Sequence, residues 1–322
     1  MKLVLLGIKN NGTIHIGHLF SIIYPAIKFI KKNKKYILLV LIADLHNLTY
    51  FNKKNYNKKK YKENIYKILS IFLSFEINLK KIFFYKQSDT KKLLDIFWFL
   101  NNLYKFNRLK LAHRYKSTYN INIGEFIYPI LMASDIISLN IKYVFIGNDQ
   151  KQNLEITKIL IKALNNKIIN NKKFYIPKFL INKKFNKVIG IDGRKMSKSY
   201  KNTINVFDKK NKIKRKIFKI KTNSNKIQNI KDLKKLYIYK LYKYFFNKKI
   251  NILFYNKKNI YNFYKIKNIL YNKILNKFKF KRQKYFFYLK NKKILKNILK
   301  KDILFINKII LKNYLIIKKI FL

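Results

Sequence analysis

Two short stretches of this chain gather hydrogen-bond donors and cations at close spacing: Gly12-Thr13-Ile14-His15-Ile16-Gly17-His18 and Lys195-Met196-Ser197-Lys198-Ser199. Neither brings a nucleophile, a metal cage or a Gly-rich cradle. His15 and His18 stand three residues apart, so on the first turn of a helix both imidazoles reach one phosphate chain as donors. Gly17 between them leaves room for a flat adenine. A Walker A loop is excluded, because Gly7 and Gly12 have its spacing but Thr13 replaces its lysine, and no Gly-x-Gly-x-x-Gly fingerprint is present. Two incidental surface histidines are the plain alternative, but the chain holds only four histidines and two are here. In the second stretch Lys195 and Lys198 follow Gly190-Ile191-Asp192-Gly193, a flexible approach. Two ammonium groups there can close over a triphosphate and neutralise charge as it builds on departing pyrophosphate. A lysine pair alone says nothing in so lysine-rich a chain; the Met-Ser context and the Gly-flanked loop give it weight. The pair of stretches reads as an adenylating site for ATP.

The elements around these residues predict an α/β fold. Lys2 to Leu6 is a short apolar run closed by Gly7, and Asn10-Asn11-Gly12 signals a loop. From Gly17 onward Leu19, Ile22, Ile23, Ala26, Ile27 and Ile30 recur at amphipathic helical spacing. Strand, tight loop and helix thus form the opening unit, the place where open α/β sheets hold nucleotides. Apolar runs at Tyr36 to Ala43, Ile82 to Tyr85 and Tyr143 to Ile146 alternate with helical stretches, which predicts a Rossmann-type parallel sheet covered by helices over residues 1–204. Beyond it, Leu233, Leu236, Tyr237, Leu241, Tyr244 and Phe245, then Ile303, Ile306, Ile310, Tyr314 and Ile317, follow helical spacing. We expect residues 205–322 to be a helical domain whose last helix packs back on the first domain.

At 322 residues the chain is long enough for two domains, and 49% hydrophobic residues rule out a disordered tail protein. Lys+Arg number 75 against 13 Asp+Glu, a net charge of +62 that draws in RNA or any other polyanion. A genome drifting toward A+T would enrich Lys, Asn, Ile, Tyr and Phe without any binding role, so charge alone does not identify RNA as the partner. Cysteine is absent, which excludes disulfides and thiolate metal sites. Leu3-Val4-Leu5-Leu6 is short of a signal peptide's apolar core of roughly 7–15 residues, and Ile37 to Ala43 is short of the about 20 a membrane span needs. The expectation is a cytoplasmic chain with no membrane partner.

His15-Ile16-Gly17-His18 and Lys195-Met196-Ser197-Lys198-Ser199 resemble the two signatures of class I aminoacyl-tRNA synthetases. The intervening segments are similar to the bacterial tryptophanyl-tRNA synthetase family in particular: Gly7-Ile8 leading into Gly12, Ile42 to Thr49, Tyr128 to Ile136, and Gly147 to Glu155. The likeness runs through residues 1–205 and is faint beyond. It implies tryptophan–tRNA ligation with ATP and Mg²⁺, tRNA(Trp) as partner with its anticodon contacted by the helical domain of residues 205–322, and a homodimer. Carried over position by position, it implies catalytic roles for His15, His18, Lys195 and Lys198. ATP would be held by Lys9, Asn10, Asn11, Gly17, His18, Gly147, Asn148, Asp149, Ile189 and the stretch Lys195, Met196, Ser197, Lys198, Ser199. Tryptophan would be held by Leu5, Gly7, His46, Met132, Asp135, Ile136 and Gln150.

The implied role of Asp135 is to accept the indole N–H; a helix cap is its plain alternative. Asp149, with Gln152 three residues on, fits a capping box for the helix through Ile156, Ile159 and Leu160, leaving Gly147 and Gln150 to face ligands. Some positions depart from the family pattern. Lys9 stands where glutamine is usual, Asn10-Asn11 where Pro-Ser or Pro-Thr is, Asn148 where glutamate is and Tyr200 where aspartate is, and His18 replaces a common asparagine. A cation at position 9 is expected to alter affinity rather than abolish activity. A tyrosine-specific relative and a non-catalytic RNA-binding descendant are the rival readings.

Overall fold

The computed structural model describes residues 2–10, 12–50, 57–113, 122–168, 173–180, 188–222, 235–246 and 263–322. Asn11, residues 52–56 of the Lys/Asn-rich stretch, and Leu233 lie outside the described residues. Five parallel strands form one sheet in the order β3-β2-β1-β4-β5. They are β1 (Lys2–Ile8), β2 (Tyr36–Ile42), β3 (Ile82–Lys86), β4 (Tyr143–Phe145) and β5 (Lys178–Leu180). Four lie within a residue or two of the apolar runs. The last was not expected: three residues including a lysine, none fully buried, carry no hydrophobic signature.

The register explains the composition of the strands. On β1, Val4, Leu6 and Ile8 point into one apolar cluster while Leu3 and Leu5 point into another on the opposite face. Period-2 alternation with both faces covered makes these strands apolar throughout. Each large side chain so buried contributes roughly 1.5–3 kcal/mol. The first face is covered by α1 (Ile16–His18), a π-helical turn over Leu19–Ile23, α2 (Tyr24–Lys32) and α3 (Lys58–Leu73). The other carries α4 (Leu93–Asn101), α6 (Ile123–Ser138) and α7 (Lys151–Lys167), with α5 (Phe106–His113) beside α6.

After residue 205 the described chain is helical: α8 (Lys210–Phe218), α9 (Tyr237–Phe245), α10 (Phe263–Lys277), α11 (Lys279–Lys290) and α12 (Lys292–Phe321). Up to the start of α12 its apolar residues join the first-face cluster, where Val206, Ile213, Leu241 and Phe278 are buried together with Ile16 and Ile23, whereas Ile306, Ile310 and Ile317 of α12 join the opposite cluster. Arg282 seals the joint by donating to the carbonyls of Val206 and, at 2.8 Å, Asp208. The 30-residue α12 runs back along edge strand β3, where Asp302 Oδ2 accepts from Phe84 N at 2.8 Å. No described helix is long and apolar enough to cross a membrane.

Candidate active site

β1 is the strand at which the chain order reverses, with β2 on one side and β4 on the other. A crevice opens at the carboxyl ends of strands flanking such a switch point, where helix N-termini point inward. Here it is a cavity of about 700 Å³ lined by Gly7 and Lys9 from the end of β1 and by Gly147 just beyond β4.

His15 is the N-cap of α1. Its Nδ1 accepts from Gly17 N at 3.1 Å, which leaves Nε2 as the protonated nitrogen and hence a neutral donor. Burial, and then the Lys198 ammonium, lower its pKa from 6.5 to about 4. His18, its ring centroid 3.9 Å from that of His15, is held well below the usual histidine range by burial, by His15 and by Lys198. Both imidazoles are therefore uncharged at neutral pH. Only glycine fits at position 17, because a Cβ there would lie 2.7 Å from the imidazole Cε1 of His15. The capping bond folds the imidazole back over residue 17, and Gly17 still lines the cavity.

Lys198 lies against the same turn, where a Cβ on Gly12 would stand 3.2 Å from its Cδ. Burial, and then Lys9, lower its ammonium to about 8. Ile16 N donates to Ile204 O at 2.9 Å, which ties the first stretch to the segment that follows the second. The approach to the lysines is a bonded hairpin rather than a flexible tether. Ile189 and Lys195 form an antiparallel bridge, and Met196 N donates to Val188 O at 2.8 Å. Asn202 sits inside, accepting from Ser197 N and donating to Asp192 and to Lys195 O. Gly193, at φ +86°, leaves its side-chain space to the ring of Tyr237.

The other end of the cavity is apolar with one acid. Asp135 sits in the last turns of α6, inside the helix, which removes the capping alternative. It is 5% exposed; Oδ2 accepts from Gln87 Nε2 at 2.8 Å, and the buried Oδ1 has no partner. Burial lifts its pKa well above the usual carboxylate range, against the opposing pull of Gln87 and with a further push from Asp44. An unpartnered carboxylate oxygen facing a cavity is an acceptor awaiting a donor. Met132 and Ile136 from the same helix, Leu5 from β1 and His46 complete this wall, with Tyr128 stacked on His46 at 4.8 Å between centroids.

Of the remaining expected residues, Asp149, Gln150, Lys195, Met196, Ser197 and Ser199 also line the cavity. Asp149 does not cap α7. It lies in a short 3-10 turn, Asn148–Gln150, and its Oδ2 accepts from Gln150 Nε2 at 2.9 Å. Gln150 takes the cap position without a side-chain capping bond and instead accepts from Asn153 Nδ2. Two expected residues stand apart from the cavity wall. Asn10 is buried behind it, its carbonyl bonded by Asn64 Nδ2 at 3.0 Å, and Ile189 belongs to the hairpin bridge; the side chain of Asn148 lies outside the described ones. Gln87, Tyr128, Val188 and Asn202 were missed by sequence reasoning. Gln87 directly follows β3, and its place at a strand's carboxyl end is the signal that could have found it.

With this geometry in view, the comparisons decide the family. A family model described as class I tRNA synthetases (W and Y) matches residues 2–279. The chain belongs to that family. Among curated relatives, a tryptophan–tRNA ligase of Campylobacter jejuni is 32% identical over 246 residues, 75% of this chain and 74% of that one. One of Fusobacterium nucleatum is 34% identical over 236 residues, 72% of this chain and 70% of that one. The crystal structure of tryptophanyl-tRNA synthetase from Campylobacter jejuni complexed with ADP and tryptophan superposes with a TM-score of 0.82 at 30% identity, covering 99% of this chain and 100% of that one. A tyrosyl-tRNA synthetase from Aeropyrum pernix, at 15% identity and a TM-score of 0.66, shares the fold. As a class I synthetase, the chain keeps both imidazoles and both signature lysines on one cavity despite its departures at Lys9 and Tyr200, which line that cavity too.

Proposed function

We propose that this chain is a tryptophan–tRNA ligase: it activates L-tryptophan with ATP to tryptophanyl-adenylate and passes the aminoacyl group to tRNA(Trp). The observation that carries the reading is a single cavity with cations and neutral imidazole donors at one end and a buried, half-partnered carboxylate at the other. That polarity fits a triphosphate at the first end and an indole at the second.

In the activation step a carboxylate oxygen of tryptophan bonds to the α-phosphorus of ATP, the bond from that phosphorus to the bridging oxygen breaks, and pyrophosphate leaves with the negative charge. No side chain forms a covalent bond, so catalysis is positioning and charge stabilisation. His15 and His18 donate to phosphate oxygens as neutral groups. Lys195 and Lys198 stabilise the leaving pyrophosphate, and Lys9 stands where it reaches the substrate carboxylate or a phosphate. Mg²⁺ would come with the nucleotide and would supply screening of its phosphate charge; among the described residues no group of three His, Cys, Asp or Glu is gathered to hold a metal ion. Asp135 accepts the indole N–H and rejects phenylalanine, which would leave the acceptor unpaired in an apolar wall.

The lysine-rich helices after residue 205 form the tRNA-facing domain, with phosphate contacts from lysines and base stacking on aromatics. A second copy of the chain covers Leu94, Trp98, Phe106 and Ile123, which are 57%, 67%, 64% and 78% exposed on α4, α5 and the start of α6. A patch of that kind on an otherwise cationic surface favours a homodimer, here placed in the cytoplasm. Pyrophosphate exchange with each of the twenty amino acids tests the activity. Exchange with tryptophan alone supports the reading, exchange with tyrosine transfers it to the tyrosine-specific branch, and none supports a non-catalytic RNA-binding protein.

A further inference from the structure

The terminal helix does more than cover the edge of the sheet. Three of its polar side chains bond backbone groups, and each of those groups belongs to one of the two segments that carry the Gln87–Asp135 pair. Asp302 holds Phe84 N, three residues before Gln87. Asn307 spans the turn after β3: its Oδ1 accepts from Lys91 N at 2.8 Å and its Nδ2 donates to Asp89 O at 3.4 Å. Asn313 Nδ2 donates to Ser138 O at 2.8 Å, three residues beyond Asp135 on α6.

The turn bearing Gln87 therefore has both its entry and its exit fixed to α12, and the helix bearing Asp135 is fixed to the same rod. Simple cover is already supplied by apolar contacts, Phe305 stacked on Phe83 at 4.3 Å and the buried Ile306 and Ile310. A buried asparagine such as Asn313 adds a desolvation cost that apolar cover avoids, offset only by the bonds it makes. Those bonds set the separation of two segments 48 residues apart in sequence whose side chains meet at 2.8 Å.

We propose that Asn307 and Asn313 are positioning residues for tryptophan selection, holding Gln87 against Asp135 so that the unpartnered Asp135 Oδ1 stays aimed at the indole N–H. The inference rests on the reading of Asp135 given above. Loosening these tethers weakens the amino-acid end of the cavity and leaves the phosphate end alone, because none of these bonds reaches Lys9, His15, Lys195 or Lys198.

The test is steady-state pyrophosphate exchange with the full chain, measuring KM separately for tryptophan and ATP. Asn307→Ala is expected to raise KM for tryptophan roughly five- to tenfold, about the loss of one directed hydrogen bond, with KM for ATP within about twofold. Asn307→Asp keeps the acceptor for Lys91 N and should show a smaller rise, which covers the case in which the alanine variant does not fold. In a Gln87→Ala background Asn307→Ala should add nothing, since the group it positions is gone. Ile310→Val, which thins the packing of the same helix, should lower Tm without moving KM for tryptophan. An unchanged KM for tryptophan in both Asn307 variants, effects that multiply in the double variant, or an equal rise in Ile310→Val overturns the proposal. If Asp135→Asn itself leaves KM for tryptophan unchanged, the indole reading falls and the proposal with it.

Discussion

At one end of the cavity Lys9, Lys195 and Lys198 gather positive charge around two imidazoles that burial keeps neutral; at the other, Asp135 offers one directed acceptor with its second oxygen held by Gln87. The first end acts through charge, which falls off slowly with distance and tolerates small shifts of geometry. The second acts through a single hydrogen bond, whose worth vanishes with poor alignment. Turnover should therefore be governed by one end and choice of amino acid by the other.

The sharpest way to break that division is Lys198→Ala. It should depress the rate of pyrophosphate exchange by about 10²–10³-fold, the usual scale for a group aimed at transition-state charge, while tryptophan binding by calorimetry stays within about twofold. Equal losses in both would merge the two ends. Asp135→Asn should do the reverse, raising KM for tryptophan by about 10- to 100-fold with KM for ATP unchanged, because its amide can turn a donor toward the indole donor. A pH profile of kcat/KM for ATP sharpens the contrast further. With His15 lowered to about 4 and Lys198 to about 8, both groups keep the required form between these values. The profile should be level near neutrality and fall by up to about tenfold per pH unit above 8, as the ammonium loses its proton.

The smallest expected effect lies outside the cavity. Burial raises Asp302 to about 6 from 3.8, so the folded chain binds a proton there more tightly than the unfolded chain does. Stability should fall as pH rises through that window, and Asp302→Asn, which keeps an acceptor for Phe84 N, should remove the decline and raise stability at pH 7 by about 1–3 kcal/mol in urea unfolding. His15, shifted in the opposite direction from 6.5 to about 4, adds stability as pH rises over an overlapping range. The comparison of variant with parent, rather than either curve alone, is therefore the informative measurement.

The two ends also differ in how openly the sequence declares them. His15, His18, Lys195 and Lys198 lie in two compact motifs, and the strand-loop-helix unit that carries the first is readable from hydrophobic period alone. Met132, Asp135 and Ile136 share one helical segment, so the resemblance could carry them over together. Gln87 escaped because its partner is 48 residues away and a lone glutamine has no period or motif to mark it. Asn202 escaped for the same reason, since its role is to fill a hairpin with backbone bonds. Asp149 misled through spacing: Asp and Gln three apart satisfy the capping pattern, but the chain enters α7 through a 3-10 turn that moves the cap position onto Gln150.

The seat of Tyr237 beneath Gly193 has a mechanical consequence. A Cβ at that glycine would lie 2.1 Å from the ring's Cζ, so the hairpin leading to Lys195 and Lys198 rests directly on an aromatic ring of α9. Any side chain at position 193 would have to push that ring aside, so the hairpin keeps its seat on the helix only while glycine stays there.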